Sequence, residues 1–367
     1  MISVTVGPRG GDGPSGAAGG IRRSTLLEPR LTVVIRSYNR IPALCELLRS
    51  VLGQRCDRPF EVVVVEQSGE VGEAERAQLA ALAGDPRVRV LRYPPLGGPR
   101  ARNAGCRAAR GEILLFMDDD DLPLGDGWIA AHLRHFDDPR CLGVTGRYVT
   151  PEGGPAPRWS ARRAQRLVLS YVPVLMYQQC YTYVEVDRPV RVATVHGGNV
   201  SLRRSALERF GLWDESTRIE DELSFNYRLR ARKRPDEYLL YDPDALILRR
   251  FDVPGGMNKR YMPVTALGER LFEFLHNIIG HYFTARFVLL YPAYVVLLYG
   301  VCCGWIWGEI HGGGGPLRRV ANMLGLLLIL PLLWVVWAIR LLRARARHQG
   351  RRHEPRLGDP QPAPAAA

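Results

Sequence analysis

The chain has 367 residues, 46% hydrophobic and 24% charged, a globular balance that excludes wholesale disorder and fibrous repeats. Fifty lysines and arginines against 37 aspartates and glutamates give a net charge of +13, part of it local, since Arg340 to Ala367 holds seven arginines against Glu354 and Asp359. A basic balance suits nucleic acid, anionic lipid or phosphorylated substrates, and does not choose among them.

Residues 1–30 read as a disordered Gly-rich tail, because Gly7 to Gly20 offers no apolar face to bury. Gly11, Gly13 and Gly16 fit GxGxxG, but Ala17-Ala18-Gly19-Gly20 follows where a dinucleotide fingerprint needs a helix. From Leu31 the texture changes. Leu31–Ile35 predicts a buried strand, Arg36-Ser37-Tyr38-Asn39-Arg40 a polar turn, and Pro42 to Leu52 a helix with leucines at helical spacing. Phe60–Val65 predicts a second buried strand, ending at Glu66-Gln67-Ser68-Gly69, and Val88–Leu91 a third. Asn103 to Ala109 predicts a helix, and Ile113–Met117 a strand that runs straight into Asp118-Asp119-Asp120-Asp121.

This alternation predicts an α/β domain over residues 31–255, with a mostly parallel, Rossmann-like sheet and helices on both faces. Ligands of such sheets bind beyond the carboxyl ends of the strands, which places Ser37–Asn39, Glu66–Ser68 and Asp118–Asp121 along one edge. Further on, His196-Gly197-Gly198-Asn199 predicts a turn into Val200-Ser201-Leu202, and Arg218–Arg230 a helix carrying Glu220-Asp221-Glu222.

The last third differs. Residues 256–286 include an amphipathic, interfacial stretch at Leu271–Phe283. Residues 287–342 hold two apolar stretches, Phe287–Trp307 and Met323–Ile339, which predict two transmembrane helices. Two buried core helices are the alternative. Arginines just after the second span predict a cytoplasmic C-terminus, a basic cytoplasmic tail over 343–367, and a cytoplasmic catalytic domain at the cell membrane. Seven cysteines, odd in number and without a CxxC pair, support neither a zinc site nor a disulfide framework.

Four consecutive aspartates at a strand end repel one another unless a hard cation neutralises them. They therefore predict a Mn²⁺ or Mg²⁺ site on a diphosphate, with a solvated acidic turn as the alternative. Glu220-Asp221-Glu222 predicts either a general base or simply carboxylates favoured at a helix start. Gly97 to Asn103, a glycine turn entering a helix with Arg100 and Arg102, suits a phosphate.

These pieces together resemble family two glycosyltransferases of GT-A fold. Ser37-Tyr38-Asn39-Arg40, Gly98 to Gly105, Gly111 to Asp121, His196 to Arg204, Gly211-Leu212-Trp213-Asp214-Glu215 and Ile219-Glu220-Asp221 occur in the family's order, over about residues 31–250. The resemblance implies inverting transfer of a sugar from a nucleotide-diphosphate sugar to a hydroxyl. It implies that Ser37, Tyr38, Asn39 and Glu66 line the base and ribose pocket. Asp118 and Asp120 would hold the metal, with Asp119 assisting, and Arg102 and Asn103 would belong to the donor side. Asp221 would be the base, with Glu220 beside it. Two features depart from the family: Glu66-Gln67-Ser68-Gly69 replaces the usual Asp-Asp-Gly-Ser, and Leu246-Ile247-Leu248 runs into Arg249-Arg250 where many relatives have a metal-binding His. The acceptor expected at a membrane is a lipid-linked saccharide or surface glycan. Nucleic acid is not an expected partner, because no recognisable motif accompanies the charge. A nucleotidyltransferase and a non-catalytic membrane scaffold are the alternatives; the first would carry a Gly-rich basic loop where Ser37-Tyr38-Asn39 stands, and the second would need no metal cluster.

Overall fold

The computed structural model describes residues 28–149, 158–159, 185–215, 221–250, 253, 315–348 and 355–363, with 296, 299, 300 and 303. In chain order these form β1 (Leu31–Ser37), α1 (Ile41–Leu52), β2 (Phe60–Glu66), α2 (Glu73–Ala83), β3 (Val88–Arg92), α3 (Gly98–Ala108), β4 (Ile113–Asp118), β5 (Asp121–Pro123), α4 (Trp128–Leu133), β6 (Cys141–Val149), β7 (Arg158–Trp159), β8 (Glu185–Val186), β9 (Val190–Val192), β10 (Asn199–Arg203), α5 (Arg204–Phe210), α6 (Asp221–Arg232), β11 (Tyr238–Arg249) and α7 (Pro316–His348).

Nine strands make one sheet in the order β3-β2-β1-β4-β10-β6-β11-β5, with β9 also on β11. The β3-β2-β1-β4 part is parallel, as the apolar runs predict. Beyond it the sheet is mixed, not mostly parallel: β10 is antiparallel to β4 and β6, and β11 is parallel to β6 but antiparallel to β5 and β9. The physical reason lies in the turn before β10. His196–Gly198 delivers the chain to the carboxyl end of β4, so β10 runs back down that strand, Asn199 beside Met117 and Arg203 beside Ile113.

Helices cover both faces. Leu44, Leu47, Leu48 and Val51 of α1 are fully buried against Val33, Ile35, Val62 and Val64. On the other face Val34, Leu114 and Phe116 pack with Leu207, Trp213 and Phe225. The helix expected from Asn103 begins at Gly98, five residues earlier. Gly98 read as a turn residue but lies in the helix, and Gly105 serves close approach: a Cβ on it would lie 2.3 Å from Val34 Cγ1, so a larger residue would push α3 off β1.

A buried polar group crosses the sheet's second half. His132 Nε2 and Trp128 Nε1 both lie 3.0 Å from Asn199 Oδ1, and His132 Nδ1 lies 2.9 Å from Ser201 Oγ. Burial lowers the imidazole from an ordinary 6.5 to about 4, so it is neutral at pH 7. An unfolded histidine takes up its proton below pH 6.5 while the folded one resists until about 4. Stability contributed by this group is therefore complete above pH 6.5 and lost as pH falls toward 4, on the order of 3 kcal/mol at the limit. We expect urea midpoints to fall from pH 7 to pH 5, and to fall less in His132→Gln; equal slopes would remove His132 from the account. Asn199 also heads an Asn-Val-Ser sequon, but its fully buried amide donates to Ala245 O, which no glycan would permit.

Of the expected transmembrane segments, 287–307 lies outside the described residues apart from Val296, Tyr299, Gly300 and Cys303, as do 271–283 and the tail before residue 28. Residues 323–339 fall within α7, where Leu324, Leu328, Leu332 and Val335 are more than half exposed. Among the described residues no helix is long and apolar enough to cross a membrane. Within the segment expected as a basic tail, residues 355–363 dock on the domain. Leu212 donates its backbone N–H to Pro355 O (2.7 Å), Arg107 Nε donates to Arg356 O (3.2 Å), and Leu357 packs on the apolar cluster that contains Trp213.

Candidate active site

The parallel register brings the predicted edge together. Ser37 lies beside Glu66 across β1 and β2, and Arg36 beside Asp118 across β1 and β4. Beyond β4 the four aspartates take four different environments, which their sequence alone does not separate.

Asp118 Oδ1 accepts from Arg36 Nε at 2.9 Å and lies 3.2 Å from Arg102 Nη2. Burial pushes its carboxyl up, but the Arg36 and Arg102 guanidiniums outweigh burial and hold it well below the usual range. Asp119 turns toward β1 instead. It accepts from Ser37 Oγ (2.8 Å) and Arg40 Nη1 (2.7 Å). Burial raises it to about 6, against the pull of Arg40. Asp120 shares Arg40 at 3.0 Å. Asp121 is fully buried, and neither of its carboxylate oxygens has a hydrogen-bond partner. Burial drives its carboxyl far up, opposed by Arg249, whose backbone pairs with it across β5 and β11.

Ligand oxygens of Asp118, Asp120 and Asp121 all lie within 4.8 Å of one another. An unpartnered, fully buried carboxylate is costly unless something neutralises it. Three carboxylate oxygens at this spacing are what a hard divalent cation takes as ligands. The residues thus fit a metal, and Asp121 belongs to the fitting set, whereas Asp119 is already tied to Ser37 and Arg40.

Arg102 is buried at 4% exposure, its guanidinium 5.2 Å above the Trp213 ring, so it reaches Asp118 from a fixed stack. Asn103 is fully buried and structural in its contacts. It donates to Trp213 O (2.9 Å) and Glu215 Oε1 (2.8 Å), and accepts from Trp213 N (3.0 Å), so it ties α3 to the Gly-Leu-Trp-Asp-Glu loop. After β1, Tyr38 is 52% exposed and Asn39 adopts a left-handed φ of 54°. Asn39 N donates to Ser68 Oγ (2.8 Å), and Asn39 Oδ1 accepts from Gly69 N (3.2 Å), which clasps the two loops. Glu66 accepts from Ser68 N at 2.5 Å, so its carboxylate is held by its own loop.

Asp221 is the first residue of α6; its side chain and Glu220 lie outside the described residues. Glu222, next along, is buried. A Cβ on Gly197 would sit 3.1 Å from Arg102 Nη1 and 3.3 Å from Glu222 Oε2, and one on Gly198 would sit 2.9 Å from Asp118 Oδ2. The Gly197-Gly198 backbone therefore packs directly against Arg102, Glu222 and Asp118, and any side chain there would press on them.

Sequence reasoning counted Asp121 in the acidic run but left it out of the ligand pair, and gave no role to Arg36, Arg40, Tyr148 or the side chain of His196. Arg36 and Arg40 flank the Ser37-Tyr38-Asn39 motif at the carboxyl end of β1, and two cations at that edge of the sheet were a readable signal. Of Arg249 and Arg250, Arg249 stands 5.2 Å over the Tyr148 ring and acts on Asp118 and Asp121, while Arg250 pairs with Glu46.

Residues 32–211 match the family model described as "Glycosyl transferase family 2". The chain is 28% identical over 226 residues to a pre-mycofactocin glycosyltransferase of Mycobacterium tuberculosis, covering 59% of this chain and 42% of that one. It is 38% identical over 94 residues to the succinoglycan biosynthesis protein ExoO of Rhizobium meliloti, covering 25% of this chain and 26% of that one. The chain thus spans less than half the length of these relatives. In fold it is similar to a mannosyltransferase from Pyrobaculum calidifontis in complex with GDP-mannose and Mn²⁺, with a TM-score of 0.50, 17% identity and 88% of each chain covered.

Proposed function

Because the chain belongs to glycosyl transferase family 2 through residues 32–211, we propose that it transfers a sugar from a nucleotide-diphosphate sugar to a hydroxyl acceptor, with inversion. The observation that carries this reading is the grouping of Asp118, Asp120 and Asp121, with both Asp121 oxygens unpartnered, at the carboxyl edge of a sheet that also presents Ser37 and Glu66. The mannosyltransferase of the same fold was solved with a nucleotide sugar and Mn²⁺, which supports the same class of donor here.

Asp118, Asp120 and Asp121 would hold Mn²⁺ or Mg²⁺, which offsets the charge of the leaving diphosphate when bound. Arg36 and Arg102 keep Asp118 ionised and ready. Ser37, Tyr38, Asn39 and the loop after Glu66 receive the nucleoside. Asp221, at the start of α6, takes the proton of the acceptor hydroxyl as its oxygen bonds to the anomeric carbon. The bond from that carbon to the diphosphate oxygen breaks on the opposite face, and its electron pair leaves with the nucleoside diphosphate. Incubation with Mn²⁺ and a panel of UDP-, GDP- and dTDP-sugars should release nucleoside diphosphate from at least one. Release from none, in a folded sample, would overturn the reading.

The acceptor we propose is a lipid-linked saccharide or surface glycan, at a cell membrane to which residues 287–342 attach the chain. The exposed leucines of α7 and the arginines after it support attachment. Docking of residues 355–363 beside Leu212 supports a C-terminus on the catalytic domain's side. Reporter fusions at Ala367 and within Gly312–Gly315 should then report opposite sides. The same side for both would exclude two crossings.

A further inference from the structure

His196 is absent from the mechanism above, yet it sits in the turn that enters β10 beside the carboxyl end of β4, two residues from the glycine that abuts Asp118. It is 8% exposed, its ring edge-to-face with Tyr148 at 4.8 Å between centroids. Its Nδ1 lies 2.5 Å from Tyr148 Oη and 3.4 Å from Gly198 N. A backbone N–H only donates, so Nδ1 carries the lone pair and accepts from both Gly198 and Tyr148. The single proton of the neutral ring is then on Nε2. Burial first, and then the Arg249 charge, lower this imidazole to about 3, so it is neutral at working pH. Among the described residues nothing accepts a hydrogen bond from Nε2.

The surroundings indicate what would. The turn that carries His196 borders the acidic cluster, because the backbone of Gly197 and Gly198 packs against Arg102, Glu222 and Asp118. With a diphosphate held at Asp118, the group attached to it is the transferred sugar, and a sugar offers hydroxyl oxygens as acceptors. We propose that His196, its tautomer fixed by Tyr148 and Gly198, donates Nε2–H to a hydroxyl of the transferred sugar and contributes to the choice among donor sugars. This inference rests on the nucleotide-sugar reading above.

The test is calorimetry of the full chain with Mn²⁺, comparing a nucleoside diphosphate (UDP, GDP or dTDP) with its hexose conjugate. His196→Leu should leave affinity for the nucleoside diphosphate within about two-fold and weaken the conjugate by about five- to ten-fold, the size of one lost neutral hydrogen bond. His196→Gln, whose amide nitrogen falls near the Nε2 position, should recover most of the conjugate's affinity. Equal losses for both ligands, no loss for the conjugate, or no recovery in His196→Gln would overturn the role of His196. If no nucleoside diphosphate or conjugate binds the wild-type chain, it is the nucleotide-sugar reading itself that fails.

Discussion

Asp120→Ala will remove the gain in donor affinity that Mn²⁺ provides and lower transfer by on the order of 10³-fold. The fold should persist. Asp120 pairs with Arg40, which retains Asp119 at 2.7 Å. Asp119→Asn is the informative companion, because Asp119 bonds to Ser37 and Arg40 and lies outside the cluster of three oxygens. It should change metal coupling far less than Asp120→Ala does. Donor titration with and without Mn²⁺ in both variants decides the assignment. Metal-dependent affinity that survives in Asp120→Ala would contradict it.

Asp221→Asn will lower turnover by roughly 10²–10⁴-fold, the usual contribution of a general base, with donor affinity nearly unchanged. The substitution keeps the side chain's shape and removes its basicity. Glu220→Gln should do less harm. Glu222 provides a further control: it is buried, and its Oε2 and Arg102 flank the backbone of Gly197. Its loss should disturb the site's frame, so that donor affinity and turnover fall together. Near-normal turnover in Asp221→Asn would move the role of base to Glu220 or Glu222.

The parallel half of the sheet was legible because its strands are buried on both faces and read as unbroken apolar runs. Leu31–Ile35, Phe60–Val65 and Ile113–Met117 extend by only one or two residues in the structure, to Ser37, Glu66 and Asp118. The antiparallel half was not. β6 carries Gly143, Gly146 and Arg147 inside a nine-residue strand, which breaks any apolar pattern. Those glycines make sense only once neighbours are known: a Cβ on Gly146 would lie 2.0 Å from Ala245 O. β11 hides its period in the same way, since its register slips between Asp242 and Leu246.

The acidic run shows where local reading stops. Four adjacent aspartates led to the expectation of a metal site, and the family resemblance selected Asp118 and Asp120. Only tertiary pairing separates the other two. Arg40 and Ser37 draw Asp119 toward β1, while pairing with Arg249 carries Asp121 into the interior. Asn103 makes the same point. Its place in a donor-side motif was visible, but its bonds to Trp213 and Glu215, more than a hundred residues away, were not. The docked residues 355–363 had no signal beyond Leu357, a lone apolar residue in a polar stretch.

The account's central claim is that the acidic cluster holds a nucleoside diphosphate through a divalent cation. The most direct measurement is calorimetric titration of the wild-type chain with UDP, GDP and dTDP, in Mn²⁺ and again in excess EDTA. We expect at least one of the three to bind at least about ten-fold more tightly with Mn²⁺. Equal affinity under the chelator, or binding of none, would contradict it.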